Sequence, residues 1–339
     1  MRITNDNIKD LVNKYTRNIA LPFGVPENIS NWDVSQVTNM SRLFQDCTSF
    51  NQPLNWDVSQ VTNMEVMFYG CTSFNQVLDW NVSQVTNMSG MFYGCTSFNQ
   101  ALNWDVSRVT NMSYMFFRCT IFNQLLDWDT SLVTNMKSMF IECTSFNQPL
   151  NWDVSLVTNM EGMFRLCTGF NSPLNWDVRR VTDMYYMFYA CKSFNQPLNW
   201  DVSRVTNMEG MFYGCTSFNQ PLNWDVRRVT DMSYMFYGCT GFNSRLNWVH
   251  RLTREPENMF LNCPISLANR PQIRVVDAHQ VHREAAKINY TKLIALFEAK
   301  GIIKPVLTAG YAEYIETTLS GMIEKVDPCL LYTSPSPRD

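Results

Sequence analysis

Few residues in this chain are equipped for catalysis. Its 339 residues include only three histidines, His250, His279 and His282, so general bases and imidazole ligands are scarce. His279 and His282 stand about one helical turn apart with Glu284 near, but no third ligand is aligned with them, and a zinc site takes at least three protein ligands. Cysteine is more plentiful. Ten of the eleven fall 24 residues apart, from Cys47 and Cys71 to Cys239 and Cys263. Stacked at ~4.8 Å, successive thiols would come within disulfide range. Their side chains would point in parallel, however, against the torsion near 90° that an S–S bond adopts. No CxxC pair accompanies them, so zinc spacing is missing. Buried thiols filling a small core position account better for the column, and a ladder of free thiols fits a reducing compartment.

A second column is acidic: Asp33, Asp57, Asn81, Asp105, Asp129, Asp153, Asp177, Asp201 and Asp225. Like charges at such spacing repel by on the order of 1 kcal/mol per neighbour in water, so something must compensate. A rail for cations or a basic partner is one answer. Local hydrogen bonding within the DVSxVTN turn, with each Asp acting as an Asx-type cap, is the favoured one, because Ser, Thr and backbone donors lie two to five residues on. The asparagines at 51, 75, 99, 123, 147, 171, 195, 219 and 243 read as a turn-stabilising ladder of the same kind.

These columns follow from a repeat. All ten tryptophans, from Trp32 to Trp248, also fall 24 residues apart, without an insertion or deletion. Such self-similarity marks a solenoid; propeller blades would need about 40 residues each. In the unit around Phe50–Cys71, Leu54, Trp56 and Val58 alternate with Asn55 and Asp57, the period of a strand with one buried face. Pro53, Pro149, Pro173, Pro197 and Pro221 mark the strand start. Met64, Met67, Phe68 and Cys71 sit at i, i+3, i+4 and i+7, the apolar stripe of a short helix. Thr62/Glu65, Thr158/Glu161 and Thr206/Glu209 suggest capping boxes. The expected fold is therefore α/β: a leucine-rich-repeat-like solenoid with one short parallel strand plus one short helix per 24-residue repeat. Nine apolar side chains per unit (Leu54, Trp56, Val58, Val61, Met64, Met67, Phe68, Cys71, Phe74) are expected inward, and only stacked neighbours can cover them.

Residues 1–28 are expected to cap the array, with a short amphipathic helix over Asn7–Tyr15, and 29–264 to form the solenoid of about ten repeats. The unit at Trp248–Phe260 is degenerate, as a closing repeat should be. Residues 265–328 form a helical C-terminal segment, with helices over about Asp277–Phe297 and Ala309–Val326. Residues 329–339, CLLYTSPSPRD, fit nothing before them and look like translated sequencing-adaptor read-through, with a disordered Ser/Pro tail as the alternative.

The string MSYMFYGCT at Met232–Thr240, followed by FNSRLNW, and NMSYMFFRCT at Asn111–Thr120 resemble the repeat of BspA-like leucine-rich-repeat surface proteins of bacteria, with relatives in protists and large DNA viruses. The resemblance covers about 29–264. It implies a right-handed leucine-rich-repeat-type solenoid and, for bacterial members, roles in adhesion and surface interaction; it brings no catalytic residues.

Composition narrows the function further. Hydrophobic residues at 45% and charged residues at 17% exclude a disordered chain. A net charge of −3 lacks the footprint of a nucleic-acid binder. No apolar run is long enough for a membrane helix. No cofactor or metal is expected, and two short C-terminal helices make no adequate enzyme pocket. Variation between repeats concentrates after the strand (Gln60, Gln84, Arg108, Leu132, Leu156, Arg180, Arg204, Arg228) and on the outer helix face, at Glu65-Val66, Ser89-Gly90, Ser113-Tyr114, Lys137-Ser138 and Tyr185-Tyr186, with exposed Tyr69, Tyr93, Tyr189, Tyr213 and Tyr237 as an aromatic strip beside them. Tyr and Arg are the residues of binding hot spots. The expectation is a non-enzymatic scaffold for protein–protein contact, through Arg179, Arg180, Tyr189, Arg204, Tyr213, Arg227, Arg228 and Tyr237. The thiol ladder and a polar start without a visible secretory signal favour the cytoplasm, with a cell-surface or secreted adhesin as the alternative.

Overall fold

The computed structural model describes residues 1–252 and 255–272. The chain divides into two compact units, Met1–Arg274 and Val275–Asp339. The helices expected over 277–297 and 309–326, the His279/His282 pair and the 329–339 tail lie outside the described residues. Ten coils stack in the first unit, numbered here by their tryptophans from coil 1 (Trp32) to coil 10 (Trp248).

The expected interior is the observed one. Leu54, Trp56, Val58, Val61, Met64, Met67, Phe68, Cys71 and Phe74 are all buried, and so are their counterparts through the central coils. Aromatic rings stand in columns. Phe44, Phe68 and Phe92 begin an unbroken stack that reaches Phe260 with centroids 5.4 to 5.7 Å apart. A second stack starts at Phe50 and Phe74 and runs to Phe242. Within a coil the two meet at 4.2 Å, as Phe68 and Phe74 do. Each such pair adds ~0.5–1.5 kcal/mol to the burial of its area.

The secondary structure differs from the expectation. The segment Met64–Cys71 is a succession of tight turns, not a helix. Its alternate amides turn outward along the axis: Met64, Val66, Phe68 and Gly70 donate N–H to Asn87, Ser89, Met91 and Tyr93 of the next coil at 2.7 to 3.0 Å. The amides between them, at Met67, Tyr69 and Cys71, fold back onto Met64, Val66 and Phe68. This alternation needs two left-handed residues per coil, four apart, here Val66 (φ 47°) and Gly70 (φ 71°). The pair recurs from Arg42/Asp46 to Asn258/Asn262. A helix requires negative φ throughout, so the two conformations exclude each other. Successive turns bury i, i+3, i+4 and i+7 just as a helix does. The capping boxes are absent too: the amide of Glu65 donates to the Asn63 side chain at 2.9 Å, and the Thr62 hydroxyl donates to Thr38 O at 3.3 Å.

Leu54–Val58 likewise alternates buried and exposed without forming a strand. The acceptor a ladder would use is taken by tryptophan: Trp80 Nε1 donates to Leu54 O at 3.0 Å, and the same bond recurs to Trp224 and Leu198. The exception supports the cause. Leu222 pairs with Leu246 and Asp225 with Val249 in parallel bridges, and there the buried indole N–H of Trp248 finds no acceptor among the described residues. Other parallel bridges link Asn39, Asn63, Asn87 and onward to Asp231, one per coil.

Both ends of the array imitate a neighbouring coil. At the start, α1 (Ile8–Thr16) buries Ile8, Leu11 and Val12, and Tyr15 meets Trp32 edge-on at 5.8 Å. Asn5 Oδ1 accepts from Thr38 N at 2.9 Å, standing in for the threonine carbonyl that Thr62 N uses one coil later. At the far end the first unit runs past 264. Ser266 N donates to Asn243 Oδ1, Ile265 is buried, and Arg270 lies over Phe260 while pairing with Glu255.

The ten cysteines among the described residues are free, and Cys71 to Cys239 are buried. Each of these eight buried thiols donates to a phenylalanine carbonyl of the preceding coil, as Cys71 Sγ does to Phe44 O at 3.0 Å. Burial pushes the Cys71, Cys119 and Cys191 thiols well above their usual pKa. In iodoacetamide labelling of the native chain at pH 8, half-buried Cys47 and Cys263 should react first. The eight interior thiols should react only after unfolding; equal rates would show that the column is open.

Gly94 isolates the cost of the left-handed turn, because an added Cβ would meet only ordinary contacts, Gly70 Cα at 3.7 Å being nearest, while φ stays at +72°. Gly94→Val should lower stability by about 1–2 kcal/mol, seen as a lower urea midpoint. Gly94→Asn should fall close to the unaltered chain, because asparagine tolerates this region.

Candidate functional site

With the interior spent on stacking, chemistry is left to the outward columns. The aspartate column lies at the turn after Val58 and its equivalents. Asp57 Oδ1 accepts from Ser59 N at 3.0 Å, and Asp33, Asp105, Asp129, Asp153 and Asp201 do the same with the serine two residues on; Asn81 accepts likewise from Ser83. The bonds to the serine hydroxyl and amide hold the Asp33, Asp57, Asp105, Asp129 and Asp201 carboxyls below their usual range. This is the Asx cap, and it engages Oδ1 of each of these carboxylates. The asparagine column is a true ladder: Asn75 N donates to Asn51 Oδ1 at 2.9 Å, and the bond is repeated to Asn243. Gln76, Gln100 and Gln124 add a second donor to the same oxygens.

The arginines of the expected contact surface divide into two groups. Arg179 grips Asp177 with Nε at 2.8 Å and Nη2 at 2.7 Å, and Arg227 grips Asp225 with Nη2 at 2.6 Å. Their charges are spent within their own turns. Arg180, Arg204 and Arg228 are exposed, one coil apart, and form no ion pair among the described residues.

Tyr189, Tyr213 and Tyr237 stack on one another at 4.7 and 4.6 Å, and all three are half-buried where full exposure was expected. Tyr69 and Tyr93 stack at 4.5 Å, Phe117 continues that run at 4.2 Å, and Ile141 and Arg165 break the column. No hydrogen bond, ion pair or cation–π contact joins these tyrosines to the exposed arginines among the described residues. The surface is two columns, not one mixed patch.

What the sequence did not single out is the company the tyrosines keep. Tyr185 and Tyr186 lie with centroids 4.0 Å apart, and Tyr186 meets Tyr189 edge-on at 5.1 Å. The Arg165 guanidinium covers Tyr186 and Tyr189 at 5.6 and 5.1 Å. Tyr186 donates its hydroxyl to Glu209 at 3.4 Å, and Tyr234 donates to Glu257 at 3.1 Å. Burial pushes the Glu209 carboxyl up, with the Asp231 charge adding to it. The signal was present in the sequence as the changing pair at 161–162, 185–186, 209–210 and 233–234, but periodicity alone gives no contact between coils.

An open cleft of about 1080 Å³ lies between the N-terminal cap and the first coils, lined among others by Tyr15, Arg17, Glu27, Asp46 and Cys47. Cys47 is raised by burial and has no histidine beside it there, so the cleft holds no activated nucleophile. Among the described residues no group of three or more His, Cys, Asp or Glu is placed to hold a metal ion. Among them too, no helix is long and apolar enough to cross a membrane.

No curated protein matches the chain significantly. One solved structure similar to it is a leucine-rich cell surface protein from Faecalibacterium prausnitzii A2-165, at 17% identity over 68% of this chain and 76% of that one, with a TM-score of 0.35. The family described as "Mycoplasma protein of unknown function, DUF285" matches three times, over residues 9–127, 101–198 and 174–270. Together these matches run from residue 9 to residue 270, and the chain is a repeat protein that belongs to the DUF285 family.

Proposed function

We propose that the chain is a non-enzymatic scaffold whose outer columns hold a protein partner. The observation that carries this is the contrast between inside and outside. The interior columns repeat the same residue types coil after coil, whereas the positions after the tryptophan segment and on the turn face change from one coil to the next. Packing fixes the first set, while the exposed positions after the tryptophan segment are left free by it. Arg180, Arg204 and Arg228 offer unspent guanidinium groups at one-coil intervals, and Tyr189, Tyr213 and Tyr237 offer large amphipathic side chains already ordered by their own stacking. Ordered side chains lose little entropy on binding, which is why such residues serve as anchors. Arg179 and Arg227 have a lesser part, since each must leave its aspartate to reach a partner. The likeness of the repeat to BspA-like surface proteins points the same way, toward binding rather than catalysis.

Affinity purification with mass spectrometry from the native host tests the proposal. The unaltered chain is compared with a variant carrying Arg180→Ala, Arg204→Ala, Arg228→Ala, Tyr189→Ala and Tyr213→Ala. Partners held by the first should be lost from the second, while a variant altered only at Arg179 and Arg227 should keep most of them. An identical partner set for all three would overturn the assignment.

A further inference from the structure

The turn face of coils 6 to 10 has a period of two coils laid over the period of one. At its first variable position Glu161, Tyr185, Glu209, Ser233 and Glu257 follow in order; at the next come Gly162, Tyr186, Gly210, Tyr234 and Asn258. The alternation is steric in origin. The Tyr186 ring lies across the next coil, and a Cβ on Gly210 would strike its Cε1 and Cδ1 atoms. The Tyr186 ring therefore fills the space that a side chain at 210 would take. The hydroxyl is then brought to the glutamate of that following coil, at Tyr186–Glu209 and again two coils later at Tyr234–Glu257.

Beside this alternation runs the stack Tyr189, Tyr213, Tyr237. Its ring faces are used against one another, so it offers a partner a ridge of edges and hydroxyls. Two steps along it advance about 9.3 Å, and a polyproline II helix advances the same distance in one turn, three residues at 3.1 Å. An extended β-strand, which repeats every ~6.6–6.8 Å on one face, falls out of register with the ridge. The charge is also of one kind. Asp183, Glu209, Asp231 and Glu257 place a carboxylate on each of coils 7 to 10, with Glu209 and Glu257 two coils apart. Glu161 of coil 6 is already paired with Lys137 at 2.7 Å, and Arg165 closes that end of the strip.

We infer that this face docks a proline-rich segment in the polyproline II conformation carrying a basic residue at every third position, with its prolines along the tyrosine ridge and its basic side chains reaching Glu209 and Glu257. The inference rests on the contact-scaffold proposal and names the class of partner for one of its two columns. A preformed helix with no internal hydrogen bonds loses little freedom on docking, and aromatic side chains are its usual recognition surface.

The probe is the peptide (Pro-Pro-Arg)3, fluorescently labelled and titrated with the full chain, beside (Gly-Ser-Arg)3 of equal charge. The first should bind at least tenfold more tightly. Glu209→Gln with Glu257→Gln should weaken it at least tenfold, and so should Tyr189→Ala with Tyr213→Ala, each variant first shown by near-ultraviolet circular dichroism to keep its stacked aromatic core. Arg180→Ala with Arg204→Ala and Arg228→Ala should leave peptide binding unchanged. The inference is overturned if (Pro-Pro-Arg)3 does not bind, if (Gly-Ser-Arg)3 binds equally well, or if the glutamate variant binds as the unaltered chain does. A native partner that is lost from the arginine–tyrosine variant while (Pro-Pro-Arg)3 fails to bind would sink this inference and leave the scaffold proposal standing.

Discussion

Amides that point along the axis, from each coil to the next, are the constraint on which the molecule depends. A chain that turns tightly in the plane of a coil leaves backbone donors and acceptors on both of its faces, and buried groups of this kind must be paired. Met64, Val66, Phe68 and Gly70 meet the requirement by bonding to the coil that follows, and they can do so only because Val66 and Gly70 adopt left-handed dihedrals. Side chains complete what the backbone begins. Asn51 Oδ1 takes the amide of Asn75, the Trp80 indole takes the carbonyl of Leu54, and the Cys71 thiol takes that of Phe44. Each of these bonds spans one repeat, so a coil is satisfied only between two others. That accounts for ends that mimic a coil, with Asn5 filling the place of a threonine carbonyl.

The same constraint divides the residues by purpose. Positions that bridge coils cannot vary without orphaning a partner one repeat away, and leaving a buried donor or acceptor unpaired costs on the order of 1–3 kcal/mol. The aspartate column belongs with them. Its regular charges suggest a binding rail, but one oxygen of each carboxylate is engaged in capping its own turn. Freedom remains only at the outward positions of the turns, where arginines and tyrosines gather in the later coils. Variation is thus confined by the economy of the backbone to the outward positions, and the proposed contact surface lies there.

The sequence made the inward side of each repeat legible. Leu54, Trp56, Val58 and the residues to Phe74 could be assigned to the core because 24-residue self-similarity and local apolar spacing agree. It was silent on the backbone path between them. A stripe at i, i+3, i+4 and i+7 arises from consecutive turns as readily as from a helix, since both return a side chain to the same face about every fourth residue. The glycines at 70, 90, 94, 162, 210, 214 and 238, falling at two positions four apart, were the sign that favoured turns, because left-handed dihedrals suit glycine best. The alternation at Leu54–Val58 was likewise real as burial and misleading as a strand, since an indole donor had displaced the backbone one. Of the proposed contact surface, the exposed arginines were legible one by one. Which of them were neutralised, and which tyrosines crossed to a neighbouring coil, depended on distances between repeats that no single repeat contains.

The tyrosine that lies over its successor's glycine gives the later coils a parity. The interior columns, by contrast, repeat from one coil to the next and carry no such alternation. Duplicating coil 7 alone would set a second tyrosine under the Tyr186 ring, whereas duplicating coils 7 and 8 together would keep each ring over a glycine.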